Sequence, residues 1–61
     1  MNNETLIDIL ENRKAGLMGF IAEDKKRFGD PFLGQHMRGR VAVEERWLDE
    51  TERLIKALRK G

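Results

Sequence analysis

Sixty-one residues, no cysteine, 38% charged side chains and a net charge of only +1 describe one small domain. Those numbers exclude a disulfide-stapled module and a thiolate metal site, and they argue against a general nucleic-acid binder, which would carry a large positive excess. A chain this short buries only about 60% of its unfolded surface and usually needs a metal, a disulfide or a partner to be stable. Met1-Asn2-Asn3-Glu4 lacks the basic start and apolar core of a signal peptide, and no apolar run nears the ~18 residues of a membrane span. The expectation is a cytoplasmic protein with no membrane partner.

The first predicted element is a helix over about 3–28. Asn2, Asn3 and Thr5 are all acceptable caps, and Glu4 and Asp8 sit at the positive end of its dipole. At 100° per residue, Leu6, Leu10, Leu17, Ile21 and Phe28 share one face, flanked by Ile7 and Met18 on one side and by Ile9 and Phe20 on the other. The stripe covers roughly half the cylinder, wider than the seam of a two-stranded coiled coil and suited to a helix with two neighbours. Lys14 and Asp24 interrupt it and must find an edge or a partner charge. Gly16 and Gly19 lie away from the stripe, each costing about 1 kcal/mol against alanine. They mark either close approach by another helix or target surface, or weak spots tolerated in a packed helix, and the second reading is the blander one.

The only strong break is Phe28-Gly29-Asp30-Pro31. Gly29 suits a left-handed helix end, Asp30 an N-cap and Pro31 a first helical position, so a turn at 29–30 folds the chain back on itself. The second helix is expected over about 31–60. Its apolar face reads Leu33, Met37, Val41, Leu48, Ile55 and Leu58, with Trp47 and Leu54 alongside. Glu44 and Thr51 fall on the same heptad positions as Met37 and Leu58, either setting register from within the seam or lying at its edge.

Charge order supports the antiparallel fold. With positions summing to about 60 placed opposite, Glu4, Asp8 and Glu11 face Arg53, Lys56 and Arg59. Arg13 and Lys14 then face Glu45, Asp49 and Glu50, while Glu23 and Asp24 approach Arg38 and Arg40. Exposed pairs of this kind contribute only ~0.2–1 kcal/mol each, so they orient more than they stabilise.

Little in the chain supports catalysis. His36 is the sole histidine, there is no serine or cysteine, and the two threonines, Thr5 and Thr51, lie far from it. No His-x-x-x-His or Glu-x-x-His spacing offers a metal site, and the glycines match neither phosphate-binding fingerprint. Glu44 is the one carboxylate whose position suggests a raised pKa. No metal, no cofactor and no enzyme activity are expected.

The sharper grouping is electrostatic. Lys25, Lys26 and Arg27 end the first helix, and Arg38 and Arg40 begin the second, all near the hairpin tip with Phe28 and Phe32. Such a tip fits an acidic protein surface or, less readily, nucleic acid, although basic residues at a helix C-terminus also simply offset its dipole. Trp47 reads as a core or self-interface anchor, or as a contact for a target.

In format the chain resembles the plasmid copy-number RNA-binding hairpins and the small sporulation-phosphorelay aspartyl-phosphate phosphatases. The latter carry a Ser-Gln-Glu-Leu-Asp signature, of which Arg46-Trp47-Leu48-Asp49-Glu50 keeps only the Leu-Asp pair, so no residue role carries over from either. The sequence thus predicts an all-α antiparallel two-helix hairpin, one domain over 1–61, pairing as a homodimeric four-helix bundle. The expected function is non-enzymatic: a small regulator or inhibitor, of the kind phages and plasmids encode, that binds a larger protein. An RNA- or DNA-binding dimer and an assembly subunit are the alternatives. The candidate contacts are Gly16, Gly19, Lys25, Lys26, Arg27, Arg38, Arg40 and Trp47.

Overall fold

The computed structural model describes residues 2–61 and is a hairpin of two helices, α1 (Asn3–Lys25) and α2 (Gly34–Lys60), packed against each other along their length. It measures 46 × 14 × 13 Å, and no helix among the described residues is long and apolar enough to cross a membrane. Of the three possible caps for α1, Asn2 takes the role: its side-chain oxygen accepts from the Thr5 amide at 2.9 Å, and its carbonyl accepts from the Leu6 amide at 3.2 Å. Glu4 sits in the first turn, where its charge offsets the dipole.

Both helices are shorter at the tip than the sequence suggests. After Lys25 the hydrogen bonds switch to the tighter three-residue spacing, from Lys26 to Glu23 (3.2 Å), Arg27 to Asp24 (3.1 Å) and Phe28 to Lys25 (3.2 Å). Gly29 is not left-handed, since no described residue has a positive φ. The chain leaves α1 by winding up rather than by the reversed-handed stop expected of glycine.

Asp30 does act as a cap. Its Oδ1 accepts from the amides of Phe32 (2.7 Å) and Leu33 (2.8 Å), and its carbonyl accepts from Gly34 at 2.9 Å. Pro31–Leu33 is therefore a capped turn leading into α2, and regular helix begins at Gly34 rather than at Pro31. These two amides also hold the exposed Asp30 carboxyl below its ordinary value.

Gly34 is where the fold demands a glycine. A Cβ there would collide with the Phe28 carbonyl oxygen and stand 3.2 Å from the Phe28 carbonyl carbon, so the return strand of the hairpin closes backbone against backbone. Gly16 and Gly19, singled out in the sequence for close approach, face open space with nothing within 4 Å.

The seam between the helices buries Leu17 and Ile21 of α1 against Met37, Val41 and Ile55 of α2. Leu10, Phe28, Leu48 and Leu58 extend it half-buried. Leu6 (36% exposed) and Leu33 (45% exposed) were expected in this core but lie outside it. Leu6 lies in the first turn of α1, at the open end of the hairpin, and Leu33 belongs to the turn before α2. Glu44 and Thr51 belong to the seam and not to its edge, at 5% and 2% exposure. The Thr51 hydroxyl satisfies itself by donating to the Trp47 carbonyl at 2.7 Å, a bond within its own helix.

Candidate functional site

Three features of the hairpin can do chemistry or binding, and they lie in different places. The first is a polar triplet in the seam near the tip. Arg40 Nε stands 3.2 Å from Asp24 Oδ2 and 3.8 Å from Glu44 Oε2. Both carboxylates are buried, at 4% and 5% exposure, whereas the Arg40 side chain is half exposed. Burial raises the Glu44 pKa, and hydrogen bonding to Asp24 with repulsion from its charge adds to the rise. Arg40 works against all three. Asp24 Oδ2 and Glu44 Oε1 have no aligned hydrogen-bond donor, so one positive charge faces two carboxylates and satisfies neither fully. His36 is exposed, and among the described residues there is no cavity and no group of three metal-ligating side chains.

The second is the tip. Sequence proximity suggests one basic cluster of Lys25, Lys26, Arg27, Arg38 and Arg40, but the fold disperses it. Lys26 pairs with Glu23 at 3.1 Å, and the Arg38 guanidinium lies over the Phe28 ring, 4.7 Å from its centroid. Arg40 turns to the other side of α2, as two residues of helix rotate it about 200° from Arg38, and meets Asp24. Lys25 and Arg27 are exposed, with Phe32 projecting at 91% exposure beside them.

The third is a long apolar side made of Ile9, Phe20, Trp47 and Leu54, which flank the predicted stripes, of Leu6, expected in the core, and of Val43, which the stripes do not include. Interhelix pairs fix the two sides of the hairpin. Lys14–Glu52 (3.9 Å) and Glu11–Arg59 (2.8 Å) bridge the helices on one side, whereas Asp24–Arg40 bridges them on the other. Helical rotation from these anchors places Leu6, Ile9 and Phe20 of α1 on the Asp24–Arg40 side, together with Val43, Trp47 and Leu54 of α2. All six are exposed, from 36% at Leu6 to 57% at Phe20. Gly16 lies midway along α1 and Trp47 midway along α2, so both belong to the centre of this side. Gly19 points away from α2, 160° from Leu17. Met18, also exposed, belongs to the opposite, ion-paired side.

The signal for this side was present in the sequence as a second three-four spacing. Arg40, Trp47 and Leu54 recur every seven residues in α2, continuing the spacing of Leu33 in the turn before it, with His36, Val43 and Glu50 between them. It runs parallel to the buried seam of Met37, Val41, Glu44, Leu48, Thr51 and Ile55, one position earlier in each turn. Comparison of the chain with protein-family models, with curated proteins and with solved structures returns no match.

Proposed function

We propose that this chain is a non-enzymatic protein-interaction module, a small regulator that works by occupying a protein surface through the apolar side of its hairpin. The observation that carries the reading is the placement of Leu6, Ile9, Phe20, Val43, Trp47 and Leu54 on one side, with the surface ion pairs between helices on the other. Isolated exposed leucines are ordinary, but six large apolar side chains gathered on one side of a small hairpin are the pattern of an interaction face. Trp47 at its centre is the residue type most often responsible for binding energy at such faces. A second copy of the chain and a larger target are the two partners this face suits. The lack of serine and cysteine leaves no nucleophile of the usual kind, in keeping with binding rather than turnover.

An RNA- or DNA-binding reading of the tip has less support. Lys26, Arg38 and Arg40 are each engaged within the chain, which leaves Lys25 and Arg27 as the free basic contribution. A role as an assembly subunit would use the same apolar side and is a special case of docking.

Photo-crosslinking tests the reading. Benzoylphenylalanine placed at position 47 or, separately, at position 18 samples the two sides of the same fold. Adducts to protein are expected from position 47 and few from position 18, either at twice the chain mass of 7.1 kDa or at the mass of another partner. Equal yields from the two positions, or none from position 47, overturn the assignment of the face.

A further inference from the structure

We propose that Asp24 and Glu44 hold one proton between them, and that this proton latches the tip end of α1 to α2. The inference goes beyond the docking reading and does not depend on what covers the apolar side.

Asp24 is the last but one residue of α1, and Glu44 lies about three turns into α2. Both carboxyls enter the seam from opposite helices and are buried there. One cation serves the pair, and unevenly: Arg40 Nε stands 3.2 Å from Asp24 Oδ2 and 3.8 Å from Glu44 Oε2. Asp24 Oδ2 and Glu44 Oε1, one oxygen on each carboxyl, are left without an aligned donor. The neighbouring charges are engaged elsewhere or face water. On α1, Glu23 pairs with Lys26 and Lys14 with Glu52, while Lys25 is exposed. In the turn, Asp30 accepts from the Phe32 and Leu33 amides and Arg27 is exposed. On α2, His36 is exposed and Arg38 lies over the Phe28 ring.

Two ionised carboxylates facing one guanidinium would leave an uncompensated negative charge out of water, a costly state for a buried group. One proton removes it. On Glu44 Oε1, the oxygen left over from the Arg40 pair, that proton turns an acceptor without a donor into a donor for Asp24. The remaining charge is then balanced by Arg40, and the two helices gain a hydrogen bond between them. Arg40 stands closer to Asp24, which makes Asp24 the carboxylate of the pair and Glu44 the acid. The raised Glu44 pKa agrees, with burial as its first cause and the hydrogen bond and charge of Asp24 as the next two.

When the proton leaves for solvent, the bond between helices becomes a repulsion, relieved only if Glu44 reaches water. Towards the tip the seam is held by Met37 and half-buried Phe28, whereas Leu17, Thr51 and Ile55 secure the far side. The tip end is therefore the part that opens. The closed form binds the proton more tightly than the open one. The contribution of the pair to closure is thus full below 4.5 and lost as pH rises through the folded value.

Carbon-13 NMR of the side-chain carboxyls, followed against pH, reads the pair directly. Glu44 is expected to titrate above 4.5, with the Asp24 signal moving through the same midpoint. Asp24→Asn replaces the acceptor with an amide that donates to ionised Glu44, and should bring the Glu44 midpoint down. A Glu44 midpoint at or below 4.5, or one that Asp24→Asn leaves in place, overturns the shared proton. The latch is read separately, by exchange of the Met37 amide, which donates to the Leu33 carbonyl at 2.9 Å. Corrected for the pH dependence of exchange itself, its protection should fall as pH rises through the Glu44 midpoint. The fall should be about tenfold for each unit by which that midpoint exceeds 4.5. Glu44→Gln donates to Asp24 with no proton to lose, so its Met37 protection should not change over that range. A fall that persists in Glu44→Gln, or protection flat with pH in the unaltered chain, overturns the latch.

Discussion

The two long sides of this hairpin are built from the same helices and differ in how they end their surface. One closes with Lys14–Glu52 and Glu11–Arg59, pairs that leave all four side chains partly exposed. The other presents Ile9, Phe20, Val43, Trp47 and Leu54, at 43–57% exposure, and its ion pairs of Arg40 with Asp24 and Glu44 draw down into the seam. Surface pairs gain little in water and need no partner, whereas exposed apolar area has a standing free-energy cost until something covers it. An amphipathic hairpin thus encodes two decisions separately: the seam makes the fold, and the uncovered side makes the assembly.

Substitutions that separate those two decisions sharpen the contrast. The largest effect is expected in the seam that both sides share. Ile55→Ala should cost about 2–5 kcal/mol, enough to melt most of the helicity seen by circular dichroism at 25 °C, and to take both sides with it. Trp47→Glu should keep the helical signal of the hairpin yet weaken association by about 30- to 100-fold in sedimentation equilibrium, roughly 2–3 kcal/mol. The matching Met18→Glu on the ion-paired side should leave association unchanged. Equal effects of the two would erase the distinction between the sides.

The buried triplet predicts a pH dependence with a definite sign. Because the folded protein raises the Glu44 pKa, it binds that proton more tightly than the unfolded chain does. Stability from this group is therefore full below its ordinary value of 4.5 and is lost as pH rises through its folded value. Asp30 acts oppositely: its capping contribution is full above 3.8 and is lost as pH falls through its lowered folded value. Thermal melts should improve on acidification from neutral pH towards 4.5 and worsen again below 3.8. Glu44→Gln should raise the melting temperature at neutral pH by an amount worth about 1 kcal/mol, and remove the acid-side improvement. The smallest effect is reserved for the paired side, where Glu11→Gln should cost no more than about 0.5–1 kcal/mol and lose even that at high salt.

Much of the fold was legible because the decisive signals are local. One Phe-Gly-Asp-Pro break between two periodic stretches fixes the hairpin, and blocks of opposite charge fix its direction, with Glu11–Arg59 and Asp24–Arg40 both formed between the expected blocks. The outer ends at Asn3 and Lys60 were legible, but the ends at the tip were not, because the tightening after Lys25 depends on how the turn winds rather than on residue pattern. The interhelix ion pairs Asp24–Arg40, Lys14–Glu52 and Glu11–Arg59 sum to 64, 66 and 70, above the 60 expected from the turn position.

Gly34 was missed for a related reason. Its constraint comes from the Phe28 carbonyl, which reaches it only once the turn is folded. The basic tip dissolved because closeness in sequence is not closeness around a helix: Arg38 and Arg40 are two residues apart and face nearly opposite ways. The apolar side was visible in part, as the flanks of two stripes, but only the pairing of the helices shows that the Ile9–Phe20 flank and the Trp47–Leu54 flank fall on the same side.

The account's central claim, that the Trp47 side is covered on association, is tested most directly by Trp47 emission across a dilution series. It is the chain's only tryptophan and stands 45% exposed in the single hairpin. Blue-shifted emission is expected at high concentration, moving to the red on dilution in step with loss of the associated mass. Emission that stays red-shifted while the chain associates would place the interface elsewhere and contradict the claim.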